Sequence, residues 1–496
     1  MARAVGTLTP LRMRHWHIAL TAQYETETAT ELSYNIPALR FRGKGYCTID
    51  WGDGTVERHC SLRPGRGCEV AVYSHSYAAF GRYDVRIDGE RNSRITRFEC
   101  ATDHGPKHRQ TKNFYTSLIL SDCTELEELD CWKNKLTKLN IYKLPKLKRL
   151  HCGHNRLTTL DISRNIRLKE LNCSHNTELK ELEVSHCAKL TLLDCYDNRL
   201  TSLDVSHCPR LDTLICGKNH LTTLEVNRNT RLKDLDCSDN RLTELDLNRN
   251  RRLEFLDCNN NRLSVLDVSR CRRLGALHCS DNRLSELDLS RNRRLKDVLE
   301  CENNRIESLN IDRCPELEYL FCSGNELTVL DLSRCRRLIG LGCSENRLTA
   351  LDLGRQTRLD ELACSGNPLK TPNVNGCKAL TVLDCSFNRL TALDLGSCLS
   401  LEQLSCPENH LSRLDLNACT QLQKLNCTRN RLTILNVDRC SALSELNCRN
   451  NKLTRLDLSR NRTLDLLICS GNPSLTDVRL SDHKPTTIQA NNQLLQ

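Results

Sequence analysis

Cysteine returns every 21 residues through most of this chain. Seventeen cysteines run from Cys131 to Cys469 at steps of 21, except for two steps of 22, at Cys173–Cys195 and Cys279–Cys301. An asparagine stands three residues after each one, from Asn134 to Asn472. Leucine usually sits two residues before the cysteine, and again five and eight after it. One period, residues 235–255, reads LDCSDNRLTELDLNRNRRLEF. Self-similarity held in phase over this distance identifies a repeat architecture in which each period is one structural unit. A single 21-residue unit buries too little to fold alone. A fully buried leucine stabilises by about 1.5–3 kcal/mol, whereas ordering the backbone costs about 1–2 kcal/mol per residue. Stacked coils sharing strand hydrogen bonds and a common leucine core close that gap.

Each period divides into halves, LxxLxCxxNx and LxxLDLxx(C/N)xx. In both, two inward residues flank one outward residue, as in Leu235-Asp236-Cys237 and Leu245-Asp246-Leu247. That alternation is the period of a strand. The expected fold is mostly β, with two short parallel strands per coil and no helix of ordinary length. Composition agrees with a thin core: of 496 residues, 39% are hydrophobic and 27% charged, with both signs abundant and a net charge of +10. Such a balance does not call for a nucleic-acid partner. No run approaches the roughly 18 apolar residues of a membrane span. Arg3, Arg12, Arg14, His15 and His17 interrupt the N-terminus, so it shows no continuous apolar core of a secretory signal.

The motif LxxLxCxxNxLTxLDLS resembles the leucine-rich repeat family, in the 21-residue nested form of bacterial proteins. The resemblance covers residues 95–482. It implies a right-handed, parallel-stranded solenoid of about 18 coils that binds partners, usually proteins; many relatives are bacterial surface or secreted proteins, among them adhesion proteins. Ile95, Phe98 and Cys100 fit the first-strand motif, and Leu118 to Cys123 fits the second half. Cys100 and Cys131 are therefore separated by one period plus an insertion, expected as an exposed loop within 101–117. Residues 15–94 lack the repeat. The segments HIALTAQ, ALRFRG, YCTID, EVAVYSHSY and YDVRID alternate between turn signals. DWGDGT at 50–55, His75-Ser76-Tyr77 and Gly81-x-Tyr83-x-Val85-x-Ile87 resemble a PKD-type immunoglobulin-like β-sandwich. That domain is expected to cap the first coil. Residues 1–14 are expected as a flexible N-terminus and 483–496 as a C-terminal cap or tail.

Thirty-one cysteines raise the question of metal or redox chemistry. Eighteen occupy the first ladder, counting Cys100, and ten a second ladder in which asparagine alternates at Asn165, Asn229, Asn250, Asn292 and Asn461. Parallel neighbouring strands point their thiols the same way, which is poor geometry for a disulfide. A one-dimensional row also lacks the four convergent ligands of zinc. The ladders read as small buried fillers of a narrow core. The cluster HCGH at 151–154 and a pairing of Cys60 with Cys68 are the local exceptions to weigh. The asparagine ladder reads as structural, each inward amide satisfying turn backbone groups of its own and adjacent coils.

No phosphate-binding loop, nucleophile elbow or zincin motif is present, so the expectation is a non-enzymatic scaffold with no cofactor, no metal and no small-molecule substrate. The outward face of the first strand is the expected protein-binding face. Its candidates are Trp132, Leu192, Tyr196, Ile215, Asp236, Phe255, Asp257, Tyr319 and Phe321, because exposed aromatics in a chain with 4% aromatics are candidate anchors. An acidic polymer is the alternative partner, on a ridge of arginine pairs: Arg251 and Arg252, Arg272 and Arg273, Arg293 and Arg294, Arg336 and Arg337. A column of aspartates and glutamates on the second half, Asp161 through Asp457, is expected to be satisfied by mutual neutralisation with flanking arginines and by hydrogen bonding, and so to compete for the same arginines. The oligomeric state is left open. Free thiols and the missing signal favour a reducing cytoplasm, whereas the resemblance points to the cell surface.

Overall fold

Leucine flanked by two outward residues builds the same short strand in coil after coil. The computed structural model describes residues 15–23, 38–65, 67–77, 79, 81–101 and 114–490. The expected flexible 1–14, the centre of the expected inserted loop and the last six residues of the expected tail lie outside the described residues. Clustering of the backbone separates two compact units, Met1–Arg241 and Leu242–Gln496. No helix occurs among the described residues, so none is long and apolar enough to cross a membrane.

In the first unit, strands Glu128–Asp130, Arg149–His151, Glu170–Asn172, Leu192–Asp194, Thr213–Ile215 and Asp234–Asp236 pair in parallel, in register, leucine against leucine. The strand Arg94–Glu99 joins the same series, pairing Phe98 with Leu129 and Glu99 with Asp130. On its other edge that strand pairs antiparallel with Leu39–Lys44, which in turn pairs with Ala71–Tyr73. A second, five-stranded antiparallel sheet runs Val56–Ser61, Tyr46–Asp50, Arg82–Gly89, His17–Gln23, Phe114–Ser121. Ile18, Leu20, Leu39, Phe41, Ile49, Trp51, Val85, Ile87 and Phe98 are fully buried in this part of the unit. Segment 118–121, expected as half a coil, is instead a strand of this sheet, paired with His17–Leu20.

The second unit repeats the pattern from Phe255–Asp257 through Leu466–Ile468 to Thr487–Gln489. The expectation of two strands in every coil is corrected. Among the described residues, second-half pairing appears only between Leu287–Asp288 and Leu309–Asn310, between Arg455–Leu458 and Asp477–Leu480, and as one bridge joining Asp352 and Asn373. The second-half aspartate makes a turn in coils that pair and in coils that do not. Its carboxylate accepts the N–H two residues on, as at Ser163 to Asp161 (3.0 Å) and Ser333 to Asp331 (2.8 Å). The same bond occurs beside the paired strands, from Ser290 to Asp288 and from Ser459 to Asp457, so it does not by itself exclude pairing.

Both buried ladders carry hydrogen bonds. Asn346 typifies the first: its amide donates to Cys343 (3.2 Å), Ser344 (3.0 Å) and the preceding coil's Cys322 (3.0 Å), while its oxygen accepts the Leu327 N–H at 3.0 Å. The second ladder is a donor slot. Asn292 donates to Val268 and Cys271, both at 3.0 Å, residues 24 and 21 positions earlier. Cys335 directs its thiol at the equivalent pair, Ile311 (3.7 Å) and Cys314 (3.6 Å). Gln356 reaches Leu332 at 2.8 Å. A thiol, a carboxamide or a longer carboxamide fills the slot because each is compact and each has a donor for an inward carbonyl.

Candidate functional site

The outward strand positions and the turn that follows them form the candidate face in each unit. The residue two places after the ladder cysteine has positive φ in every coil from Lys133 to Gly471. This left-handed step ends the strand alternation and changes the direction of the side chain it carries.

In the first unit the step carries His154 and His175, and their rings stack at 3.9 Å. Trp132 meets His154 edge-on at 4.5 Å, and Tyr196 meets His175 at 5.5 Å. Four rings from four successive coils therefore form a row of which only Trp132 and Tyr196 were expected. The histidines escape a strand reading because they sit beyond the strand, on the left-handed turn. His175 is hydrogen-bonded to Asp197 at 2.8 Å, and Lys218 reaches the same carboxylate at 3.1 Å. The hydrogen bond to Asp130 raises His151, against the opposing effect of burial. His151 thus turns to Asp130 while His154 stacks on His175, so the HCGH cluster does not converge. Among the described residues no group of three or more His, Cys, Asp or Glu is arranged to hold a metal. Leu192, Ile215 and Asp236 are half-buried on the outward face.

The rings are laid over glycines. A Cβ on Gly153 would fall 2.4 Å from the Trp132 ring, and one on Gly217 would fall 3.1 Å from that of Tyr196. Each glycine occupies the slot of the aromatic one period earlier. The second unit repeats the device twice in adjacent columns. A Cβ on Gly340 would stand 2.8 Å from the Tyr319 ring, and one on Gly342 would stand 3.0 Å from that of Phe321. The two rings lie within 22° of parallel, with centroids 6.3 Å apart, and Tyr319 is 39% exposed. Phe255 precedes Ala276 in the same manner and touches His278 at 5.3 Å. The pairing of aromatic and later glycine is visible in the sequence and went unread there.

Acids border this second-unit floor. Glu300 lies beside Phe321 in the sheet register and accepts from His278 at 2.9 Å. Burial raises the carboxyl of Glu302; Glu300 and Asp281 add to the rise, and a hydrogen bond with Ser323 opposes it. Asp257 stands in the same column as Glu300 and is half-buried. Phe387 is a further aromatic missed in the sequence: it is 61% exposed and holds φ of 51° at the left-handed step. It is the one aromatic at a position filled elsewhere by Gly, Asn, Asp or other polar residues, and that substitution pattern is its signal.

All eight ridge arginines are exposed. Among the described residues only Arg337 forms an ion pair, with Glu316. The second-half aspartates are held mainly by backbone and serine hydrogen bonds, and the neighbouring Arg164, Arg228, Arg291 and Arg334 add a smaller effect of the same sign. Hydrogen bonds from Ser163, Ser206, Ser290 and Ser333 hold Asp161, Asp204, Asp288 and Asp331 below the ordinary carboxylate range.

All thirty-one thiols are free, and only Cys68 is exposed. Cys60 faces Cys47 across antiparallel strands, not Cys68. Burial raises the ladder thiols, Cys123 and Cys343 to about 12.

A family model described as leucine-rich repeats in two copies matches residues 124–165. No curated protein matches the chain. Among solved structures, the chain is similar to the functional domain of InlJ from Listeria monocytogenes, which includes a cysteine ladder. The identity is 33% over 69% of this chain and 73% of that one, with a TM-score of 0.59. It is also similar to a leucine-rich-repeat protein of Leptospira interrogans, at 23% identity over 71% and 91% of the two chains, with a TM-score of 0.57. The plant peptide hormone receptor RGFR1, solved in complex with RGF2, shares the fold at 19% identity over 72% and 67%, with a TM-score of 0.56.

Proposed function

Since the chain belongs to the leucine-rich-repeat family, we propose that it is a non-enzymatic scaffold that takes a protein partner on the outward face of its first strands. The observation that carries this reading is the placement of the Tyr319 and Phe321 rings against Gly340 and Gly342. Large apolar rings held outward beside a bare backbone floor are the anchors that interfaces use. Trp132 and Tyr196 supply the same feature in the first unit. RGFR1 was solved with its partner RGF2; a peptide partner here would be read by the variable strand positions, while the repeat slots maintain the scaffold. Panning a displayed peptide library on the full chain tests the reading. Selected clones should bind at least ten-fold more weakly to Phe321→Ala than to the parent and bind Val329→Ala normally. Clones that depend on Val329, on the second half of the coil, would place the interface elsewhere.

The arginine ridge supports a second reading. Apart from Arg337, its arginines form no ion pair among the described residues, so an acidic polymer would meet exposed guanidinium pairs at one-coil spacing. Binding to a sulfated polysaccharide should fall steeply with salt, and replacing Arg272, Arg273, Arg293 and Arg294 by alanine should flatten the slope. A slope unchanged in that variant removes the ridge from the reading.

The N-terminal sheets over 15–94 fit a PKD-like sandwich capping the 95–482 array. In support, Asp50 and Asp53 accept the N–H groups of Gly52 and Thr55, at 3.0 and 2.9 Å, and His75 binds Asp53 at 2.7 Å while stacking on Trp51. These carboxylates act in turn chemistry.

A further inference from the structure

We infer that the second-unit floor receives a cationic side chain, an arginine presented by an extended segment of the protein partner. This rests on the face being the binding surface and adds the chemistry of what it binds. Three observations support it. The rings of Tyr319 and Phe321 lie close against Gly340 and Gly342 and within 22° of parallel to each other, and Tyr319 is 39% exposed, so the pair offers aromatic surface to a partner. A planar guanidinium stacks on such a surface and is attracted by its π-electrons. Next, the strand and the two residues after the ladder cysteine carry charge of one sign, the nearest arginines, Arg262, Arg283, Arg305 and Arg347, standing beyond the ladder asparagine. From Phe255 to Gly366, these positions present Asp257, Asp281, Glu300, Glu302, Glu345 and Glu361, and neither lysine nor arginine. Third, Glu302 stays raised by burial and by the carboxylates of Glu300 and Asp281 even with its Ser323 hydrogen bond. A cation seated over Phe321 lies one strand spacing, about 4.8 Å, from Glu300 on the neighbouring strand and relieves that crowding with charge-assisted hydrogen bonds.

The ridge sharpens the expectation. Arg272, Arg273, Arg293 and Arg294 stand in the turns that lead into these same strands, so they repel a cationic segment and confine it to the acidic strip. The two readings therefore respond oppositely to loss of the ridge.

The test uses the full chain and fluorescein-labelled dodecapeptides, alternating arginine with glycine and serine, read by fluorescence anisotropy. The companion peptide replaces each arginine by citrulline, which keeps the shape and removes the charge. The arginine peptide should bind at least ten-fold tighter than the citrulline peptide. Phe321→Ala and Glu300→Gln should each weaken it about ten-fold. Removing Arg272 and Arg293 together should tighten it two- to three-fold. Gly342→Ala, which tilts the Phe321 ring without removing it, should weaken binding with thermal unfolding unchanged; this separates loss of the floor from loss of the fold.

Equal binding of both peptides, with both weakened by Phe321→Ala, overturns the cation while leaving the face in place. Binding indifferent to Tyr319→Ala and Phe321→Ala overturns both. Weakening by Glu300→Gln alone marks unspecific charge attraction and also defeats the inference. So does salt-sensitive self-association of the chain that is abolished by the ridge substitutions, because a second copy then occupies the strip.

Discussion

At the scale of the residue, an asparagine and a cysteine have distinct tasks at the same depth. Asn346 bonds four backbone groups of two coils, so Asn346→Ala leaves buried donors and acceptors unmatched and should cost about 1–3 kcal/mol. A guanidinium unfolding midpoint indistinguishable from the parent would show that water replaces the amide at no cost. The cysteines of the second ladder direct a thiol at carbonyls that asparagine serves elsewhere, which explains why Cys, Asn and Gln356 exchange there. The identity of each ladder was legible in the sequence from phase alone. The donor role was not, because it depends on carbonyls 24 and 21 residues away that meet the side chain only after the coils stack. Thiolate is the reactive form, and burial keeps the ladder thiols protonated. Iodoacetamide at pH 8 should therefore modify the native chain at Cys68 and leave the ladders untouched, whereas denaturant should expose all 31 thiols; comparable native labelling of ladder peptides, read by mass spectrometry, would contradict their burial.

At the scale of the element, strand alternation carried the reading as far as the last extended residue and no farther. Trp132, Tyr196, Tyr319 and Phe321 were found as outward residues because they stand in or next to the strand. His154 and His175 were missed because a left-handed residue breaks the two-residue period and sends its side chain over the face. The second-half strands were over-read because Leu-Asp-Leu alternates like a strand in coil after coil, whereas alternation of side chains does not by itself bring neighbouring backbones into hydrogen-bonding register. The glycines opposite the rings make a direct prediction. In Gly153→Ala the added methyl occupies space now held by the Trp132 ring, so the indole must move toward solvent. The protein's fluorescence should shift to the red, with the unfolding free energy altered by less than about 1 kcal/mol, since the alanine fits the extended backbone and limits the unfolded chain. An unshifted spectrum would mean that the indole does not rest on that backbone.

At the scale of the whole molecule, single small effects add. A buried thiol whose folded pKa is raised keeps its proton in the native chain and loses it in the unfolded one. Its stabilisation is complete below the ordinary thiol value of 9.0 and is lost as pH rises above it toward the folded values. Each such thiol removes about 1.4 kcal/mol per pH unit in that window, and total stabilities are only about 5–15 kcal/mol. Under reducing conditions the denaturant midpoint should hold steady from pH 7 to 8.5 and fall sharply by pH 10.5; a midpoint constant through pH 10.5 would refute this account of the ladders. The ring-over-glycine arrangement has a consequence for how such a chain acquires new specificities. An aromatic anchor is complete only with the glycine of the following coil, so copying one coil separates the two halves of the device. The smallest segment that can be duplicated, exchanged or grafted with its recognition intact is a consecutive pair.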